Sequence, residues 1–294
     1  MIQVSLMRDS ESFKRYTYIT PHLSMFNETM EQELVREDQT NPLMRTFSII
    51  IPAYNEEKRI GPVLEEISSF ISENRLPWEV IIAIDGNDGT VDLVNKMSLE
   101  HSFITIENGT GRNGKGGAIK RGLNAAQSDF VIFMDADGSI KFEDILAHIS
   151  DIKQYDAVVF DRYSFLGNNI PFLRRFASRG FNVLVKSLLG IRFDDTQCVY
   201  KILSVEYARK AFRKISVTNT FFDVALIFYL KKLGAKIMEI PVEYNHNSDS
   251  KFNVVSEIFG QGSSLLAFRI RNSRFYKYVP KKLIDLYYRK FRWI

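Results

Sequence analysis

Two hydrophobic patterns alternate along the chain from about residue 46 onward. Short, almost wholly apolar runs are typical of buried strands, whereas apolar residues that recur every three or four positions indicate helices. The apolar runs predict strands at 46–56, 78–85, 103–107, 129–137 and 156–163. The periodic segments between them predict helices at 57–74, 90–100, 118–127 and 142–150. This alternation predicts an α/β fold with a mostly parallel sheet covered by helices on both faces.

The pattern is less regular after residue 163. It predicts helices at 170–190, 204–212 and 219–234, with strand-forming segments inside 194–203 and 235–246. Residues 1–46 have no clear period apart from a candidate helix at 28–35, whereas the chain from Val254 onward is helical and basic. We therefore predict an N-terminal arm at 1–46, an α/β domain at 47–252 and C-terminal amphipathic helices at 253–294.

The composition fits an intracellular globular protein. Of 294 residues, 45% are hydrophobic and 25% are charged, which are ordinary values. The one cysteine, Cys198, precludes an internal disulfide and fits a reducing compartment. No apolar run approaches the roughly 18 to 20 residues that span a bilayer, and the N-terminus lacks the apolar core of a signal peptide. We expect an intracellular protein without a membrane-spanning helix.

Positive charge is concentrated at the C-terminal end. The net charge is +4, but residues 261–294 hold nine Lys or Arg residues, one Asp and eight aromatic residues. Within 281–294, apolar and aromatic residues recur at helical spacing, as in helices that lie at a membrane interface. We predict that this tail binds the cytoplasmic face of a membrane. The alternative is a helix that packs on its own domain or on a second subunit.

Polar and acidic residues follow four consecutive predicted strands, where sheets of this kind bind ligands. Turns favour Asp, Asn and Gly in any case, but four such strand ends in succession predict a binding site. In strand order, the residues are Pro52, Tyr54, Asn55 and Glu56; Asp85; Gly114, Lys115 and Gly116; and Asp135, Ala136 and Asp137.

The segment GTGRNGKGGAIKRG, at 109–122, begins with the spacing of a phosphate-binding P-loop. That motif requires Ser or Thr after its lysine, because the hydroxyl binds Mg²⁺, and here Gly116 follows Lys115. The glycines and a helix that begins near Ala118 could still bind an anion. A turn between a strand and a helix explains the segment equally well.

Asp135-Ala136-Asp137 closes a predicted buried strand. Carboxylate oxygens at such a strand end suit Mg²⁺ or Mn²⁺, which commonly bridge protein carboxylates to substrate phosphates. A solvated turn is the alternative explanation. The four histidines show no spacing of metal ligands.

The order PAYNE, the Asp85 loop, GKGGAIKRG, DADGS and DDTQCVYK resembles that of family 2 inverting glycosyltransferases, which have the glycosyltransferase-A fold. Within the family, the chain is most similar to the polyprenyl-phosphate sugar synthases of the dolichyl-phosphate glucosyltransferase branch. The resemblance covers about residues 47–251. It makes the α/β domain a Rossmann-like catalytic domain, and it implies a UDP-sugar donor, a polyprenyl or dolichyl phosphate acceptor and Mg²⁺ or Mn²⁺ as cofactor.

The resemblance also implies roles for individual residues. Pro52 to Glu56 and Asp85 would hold the base and ribose, the Gly/Lys segment would lie near the nucleotide, and Asp135 and Asp137 would bind the diphosphate through the metal. A further donor-site cation would be Lys251, beside Ser250. Groups near the reacting centre would be Asp195 and Gln197, and Asp195 could act as a base or a metal ligand. Independently of the resemblance, Asp223 lies in an otherwise apolar helix, where an unpaired buried charge would be costly, so it is a second candidate base. Cations suited to the acceptor phosphate would be Arg174, Arg175 and Arg179.

Two departures from the family pattern and several alternatives remain. The loop DGNDGT is shorter than its counterpart in the family, and Ser139 stands where some relatives place Gln. A cap before a strand is an alternative role for Asp195, and a partner of an Arg is one for Asp223. The chain could instead extend a polysaccharide or protein glycan, which would require a base. A P-loop-like nucleotide-binding or nucleic-acid-binding protein is a second alternative, but the chain has no recognised nucleic-acid motif, so we expect no nucleic-acid partner.

Overall fold

The computed structural model describes residues 41–111, 113–168, 170–245, 254–274, 276–280 and 282, with backbone only for 254–258. Most of the predicted arm, Lys251 and residues 283–294 of the tail therefore lie outside the described residues. The strands are β1 Phe47–Ala53, β2 Glu79–Ile84, β3 Ile104–Asn108, β4 Phe130–Phe133, β5 Ala157–Asp161, β6 Lys201–Ser204 and β7 Ile237–Pro241. The α-helices are α1 Ile60–Asn74, α2 Thr90–Glu100, α3 Lys115–Ala125, α4 Phe142–Leu146, α5 Phe172–Leu189, α6 Val205–Phe212, α7 Phe222–Lys232 and α8 Val254–Arg271.

All of these strands belong to one sheet with the order β3-β2-β1-β4-β6-β5-β7. Neighbouring strands are parallel except for β6, which is antiparallel to both β4 and β5. The prediction of a mostly parallel sheet is confirmed. Because β6 runs against the others, residues 194–200 arrive at the edge where β1, β2 and β4 end. This strand order brings the second half of the chain to the predicted site.

Helices cover both faces of the sheet. Successive side chains of β1 point to opposite faces: Ile49 and Ile51 belong to a core that includes α1, whereas Ile50 belongs to a core that includes α3 and α7. The central strands β1 and β4 are mostly apolar because both of their faces are buried. Among the described residues, no helix is both long and apolar enough to span a membrane.

Several predicted boundaries are wrong, and two of them concern the candidate site. Helix α3 begins at Lys115 rather than near Ala118, and β4 ends at Phe133 rather than at Asp137. The glycines of α3 allow the helix to pack closely on its neighbours. A Cβ on Gly122 would lie 2.6 Å from Cγ2 of Ile50, so a larger residue at this position would push α3 away from β1.

Candidate active site

Asp85 joins the ends of β2 and β3 to α3. Its Oδ1 lies 2.5 Å from Nη2 of Arg121, and its Oδ2 accepts the N–H of Asn113 at 2.8 Å. The Asp85 side chain is buried, so the ion pair is shielded from solvent. The Nε and Nη1 atoms of Arg121 are also buried, and the described part of the chain gives them no hydrogen-bond acceptor. Asp85 therefore fixes this corner, and Arg121 keeps donors for a further polar group.

The loop after β1 is held in an unusual conformation. Asn55 has φ of 57°, and its Oδ1 accepts the N–H of Asn87 at 3.1 Å. Glu56 binds Arg59 through Nε at 2.7 Å and Nη2 at 2.8 Å. Burial raises the pKa of Glu56 despite Arg59, and Asp137 and Asp135 raise it further. The ends of β1 and β4 therefore form one acidic cluster.

The glycines of the Gly/Lys segment serve close packing. Gly114 has φ of 72°, a conformation that glycine adopts without strain. The N–H of Gly116 donates to the Thr218 carbonyl oxygen at 2.9 Å, and a Cβ on Gly116 would lie 2.6 Å from Cβ of Phe222. The Gly116 N–H is therefore not available to a phosphate, unlike the corresponding backbone donors of a P-loop. The side chain of Lys115 is a candidate group for binding an anion.

Lys115 lies against the Asp-Ala-Asp segment. Its Nζ is 2.5 Å from Oδ1 of Asp135. Burial acts to lower the pKa of Lys115, but the carboxylates of Asp135, Asp223 and Asp137 outweigh it and raise the pKa. Asp137 accepts the N–H of Ser139 at 3.0 Å and its hydroxyl at 2.5 Å. Asp135 therefore already accommodates one cation.

The carboxylates of Asp135 and Asp137 fit a divalent metal. They are hard oxygen donors placed at a strand end, and the ammonium of Lys115 stands where positive charge is favoured. In the described part of the chain, no group of three or more His, Cys, Asp or Glu residues is arranged as a metal site. A metal held by Asp135 and Asp137 would therefore take its other ligands from water and substrate, as Mg²⁺ commonly does.

Asp223 forms a buried ion pair under this cluster. Its Oδ1 lies 2.5 Å from Nζ of Lys201, and both side chains are almost completely buried. The Lys201 ammonium also donates to the Cys198 carbonyl oxygen. Burial raises the pKa of Asp223 to about 6, although Lys201 and Lys115 act to lower it. The partner of Asp223 is thus a lysine and not the Arg that the sequence suggested, and Lys115 lies between two carboxylates.

Asp195 is held by Arg162. Nε and Nη2 of Arg162 donate to the two Asp195 oxygens at 2.6 and 3.0 Å, and the backbone N–H groups of Gln197 and Cys198 donate to Oδ1. Burial acts to raise the pKa of Asp195, but Arg162 and these N–H groups lower it below its ordinary value. A buried, fully engaged carboxylate of this kind is a poor proton acceptor. The geometry supports the capping role for Asp195.

Helix α5 and strand β7 hold the segment around Asp195. Asn182 donates to the Asp194 carbonyl oxygen at 2.6 Å and accepts the Thr196 hydroxyl at 2.8 Å. From the other side, Glu239 accepts the N–H groups of Asp194 and Asp195 at 2.7 and 2.9 Å. The segment is therefore fixed to two elements that lie far apart in sequence.

Glu239→Gln is expected to change how the free energy of unfolding depends on pH. Burial raises the pKa of Glu239 from 4.5 to about 7, despite its two N–H donors. A carboxyl with a raised folded-state pKa stabilises the fold fully below pH 4.5 and loses that contribution as pH rises through 7. Urea denaturation should therefore show wild type losing stability relative to Glu239→Gln across this range. A difference that does not vary with pH would contradict the expectation.

The three predicted acceptor cations lie on α5 in different environments. Arg174 and Arg175 are half-buried and Arg179 is exposed. Nη2 of Arg175 donates to the Asn168 carbonyl oxygen at 2.9 Å, while its Nε is buried without an acceptor among the described residues. Their binding to an acceptor phosphate stays a prediction, as do the contacts predicted for Pro52, Tyr54, Ala136, Gln197 and Lys251.

Sequence reasoning missed four charged residues of this site, namely Arg121, Arg162, Lys201 and Glu239. A signal existed for Lys201, which lies in an apolar strand and needs a buried partner, as Asp223 does in an apolar helix. For Arg121, Arg162 and Glu239, nothing in the local sequence distinguishes them from ordinary surface charges.

Comparisons with known proteins agree on the family. The protein-family model described as glycosyl transferase family 2 matches residues 48–212 of the chain. A dolichyl-phosphate beta-glucosyltransferase of Trichomonas vaginalis is 32% identical over 70% of this chain, and the aligned part spans 66% of that relative. A dolichyl-phosphate beta-glucosyltransferase of Dictyostelium discoideum is 28% identical over 80% of this chain and 77% of its own.

A solved structure supports the fold. Glucosyl-3-phosphoglycerate synthase from Mycobacterium tuberculosis, in complex with Mn²⁺, uridine diphosphate and phosphoglyceric acid, has a TM-score of 0.59 and 18% identity. The match covers 80% of this chain and 81% of that chain. The same enzyme has been solved with Mg²⁺ and uridine diphosphate. At this identity, the likeness shows the fold alone.

Proposed function

Because the chain belongs to glycosyl transferase family 2 and is a glycosyltransferase, we propose that it transfers glucose from UDP-glucose to a polyprenyl or dolichyl phosphate. The observation that carries the proposal is the convergence of Asp85, Lys115, Asp135 and Asp137 at one edge of the sheet. Such an edge suits a nucleoside diphosphate sugar. The relatives named as dolichyl-phosphate beta-glucosyltransferases support the choice of sugar and acceptor.

The donor would lie across the ends of β1, β2 and β4. Asp85 would accept hydrogen bonds from the base or ribose, and Arg121 would hold the Asp85 carboxylate in place for this contact. Asp135 and Asp137 would hold Mg²⁺ or Mn²⁺, which when bound stabilises the charge that develops on the leaving diphosphate. Lys115 adds a second cation beside that diphosphate.

A phosphate acceptor agrees with the state of the two buried carboxylates. A phosphate oxyanion is already nucleophilic at neutral pH and needs positioning rather than a base. Its oxygen attacks the anomeric carbon, the bond to UDP breaks, and the electron pair leaves with UDP, so the anomeric configuration inverts to β. Asp195 and Asp223 both lie in buried ion pairs, so their proposed part is to position Arg162 and Lys201. A hydroxyl acceptor, as in glycan extension, would need the free base that neither provides.

The acceptor phosphate would bind near α5, where Arg174, Arg175 and Arg179 supply positive charge without any acidic residue in the helix. We keep the C-terminal tail as a proposed membrane contact at the cytoplasmic face. Its amphipathic segment at 283–294 lies outside the described residues.

We expect the purified protein to bind UDP more tightly than GDP in calorimetric titration, and to form a lipid-linked sugar from UDP-glucose and short-chain polyprenyl phosphate. The phosphate is required because it is the nucleophile, so the corresponding polyprenyl alcohol is the matched control acceptor. Product from the phosphate alone, detected by mass spectrometry, would agree with the proposal. A clear preference for GDP would favour a mannosyl donor, and transfer to the alcohol or to a soluble glycan would contradict a phosphate acceptor.

A further inference from the structure

Helix α5 exposes a face that is almost entirely apolar. Its outward residues are Phe172, Leu173, Phe176, Val183 and Leu184, with exposed fractions of 83%, 64%, 69%, 60% and 50%. At about 100° per residue, these five positions and Gly180 fall on one side of the helix. An ordinary surface helix presents polar residues on this side. The aromatic rings of Phe172 and Phe176 stack at 6.4 Å and lie open to solvent.

Neighbouring elements extend this apolar surface. Leu166, in the loop before α5, is fully exposed. Helix α8 packs against α5 and exposes Phe259, Leu266 and Ile270 by 74%, 57% and 46%. Exposed apolar side chains scattered singly are normal, but nine of them on two packed helices and one adjoining loop mark an interaction surface.

All charged residues of α5 are positive. The helix carries Arg174, Arg175, Arg179 and Lys186 and no Asp or Glu. Arg175, Arg179 and Lys186 fall along one flank of the apolar side on the helical wheel. An apolar stripe bordered by cations is the pattern of a helix that lies in a membrane interface, with its rings among the acyl chains and its cations among anionic headgroups.

The opposite side of α5 is built into the candidate site. The Ser178 hydroxyl lies 2.6 Å from the Tyr163 hydroxyl, next to the Arg162 that holds Asp195. Asn182 donates to the Asp194 carbonyl oxygen at 2.6 Å. One helix thus presents an apolar side to the exterior and fixes the segment around Asp195 with its other side.

We propose that the outward face of α5, with Leu166 and the exposed side of α8, is a membrane-docking surface that binds anionic phospholipid. The evidence for this surface is its exposure and its charge. It rests on the proposed function only for its purpose, which is to bring the protein to a lipid acceptor. The positive charge favours an anionic bilayer over a second copy of the same helix, because the cations of two such faces would repel each other. Each cation near an anionic surface adds to the attraction between the protein and the bilayer.

Flotation of the full chain with phosphatidylcholine–phosphatidylserine vesicles tests this surface. Wild type should float, and Phe172→Ser/Phe176→Ser should lower the vesicle partition coefficient by roughly tenfold or more, because two large rings no longer enter the interface. Leu99→Ser is the matched control, because Leu99 is 89% exposed on α2, away from α5. It should float like wild type. Both variants should keep the wild-type circular dichroism spectrum and UDP affinity.

Several outcomes would overturn the docking surface. The proposal would be wrong if wild type did not bind these vesicles at low salt. It would also be wrong if wild type and the double variant floated equally. If wild type does not bind vesicles but sediments as a dimer, and the double variant sediments as a monomer, the face would belong to an interface between two copies of the chain. Flotation that depends on the two rings in a protein that makes no lipid-linked sugar would instead contradict the proposed function and leave the surface standing.

Discussion

Asp137→Asn is expected to lower turnover by about 10³-fold, because losing a metal-holding carboxylate removes several kcal/mol of stabilisation from the departing diphosphate. The fold should survive the change. Asn keeps an Oδ1 that can accept the N–H and hydroxyl of Ser139, as Asp137 does. Initial rates with UDP-glucose, Mn²⁺ and short-chain polyprenyl phosphate measure the effect, and urea denaturation checks stability.

The control for this variant is Asp92→Asn, which removes a carboxylate from the exposed side of α2. It should leave turnover within about twofold, because surface substitutions change little. Direct metal binding gives a readout besides activity: wild type should bind Mn²⁺ more tightly with UDP present than Asp137→Asn does. Undiminished turnover in excess EDTA, or in Asp137→Asn, would refute a metal at Asp135 and Asp137.

Lys201→Met is expected to destabilise the protein by about 3–5 kcal/mol, since it leaves Asp223 buried without its ion-pair partner. Asp223→Asn should also destabilise, because it leaves the Lys201 charge buried. The double variant should cost less than the two single changes together, since no uncompensated charge remains. Urea denaturation of the four proteins measures this coupling.

The exposed pair of Lys210 and Glu206 on α6 is the matched control. Lys210→Met should leave the free energy of unfolding essentially unchanged, because solvent screens such pairs. Additive effects of the Lys201 and Asp223 substitutions would mean that the two charges do not stabilise each other as their 2.5 Å contact implies.

The alternation of apolar runs and helical periods was enough to predict the sheet and its helices. It was enough because strands buried on both faces must be apolar over most of their length, as β1, β2 and β5 are. The candidate site followed from the same pattern, since parallel strands end at one edge and Asp85, Asp135 and Asp137 come just after strands. Chemistry and place in the fold were both encoded locally.

What could not be predicted depends on contacts between distant segments. Arg162 and Asp195 are 33 residues apart, and no local pattern shows that they pair. The role of Gly116 depends on Phe222 of another helix, so a packing glycine resembled a phosphate-binding one. The sequence of α5 shows its amphipathicity, but only the fold shows that Asn182 and Val185 face inward while Phe172 and Phe176 face outward. Tertiary contacts thus decided what periodicity left open.

The position of β6 has a consequence for how the protein is made. Pairing among β1, β2, β3 and β4 can be completed once residue 133 is available, but β4 keeps an open edge until residues 201–204 insert between it and β5. That edge carries Val131, Ile132 and Phe133, an apolar template for pairing with another chain. During synthesis, the α/β domain therefore passes through an interval in which aggregation competes with completion of the sheet. A fragment that stops before Lys201 never leaves that interval, so interrupted translation products of this protein should be captured by chaperones or precipitate.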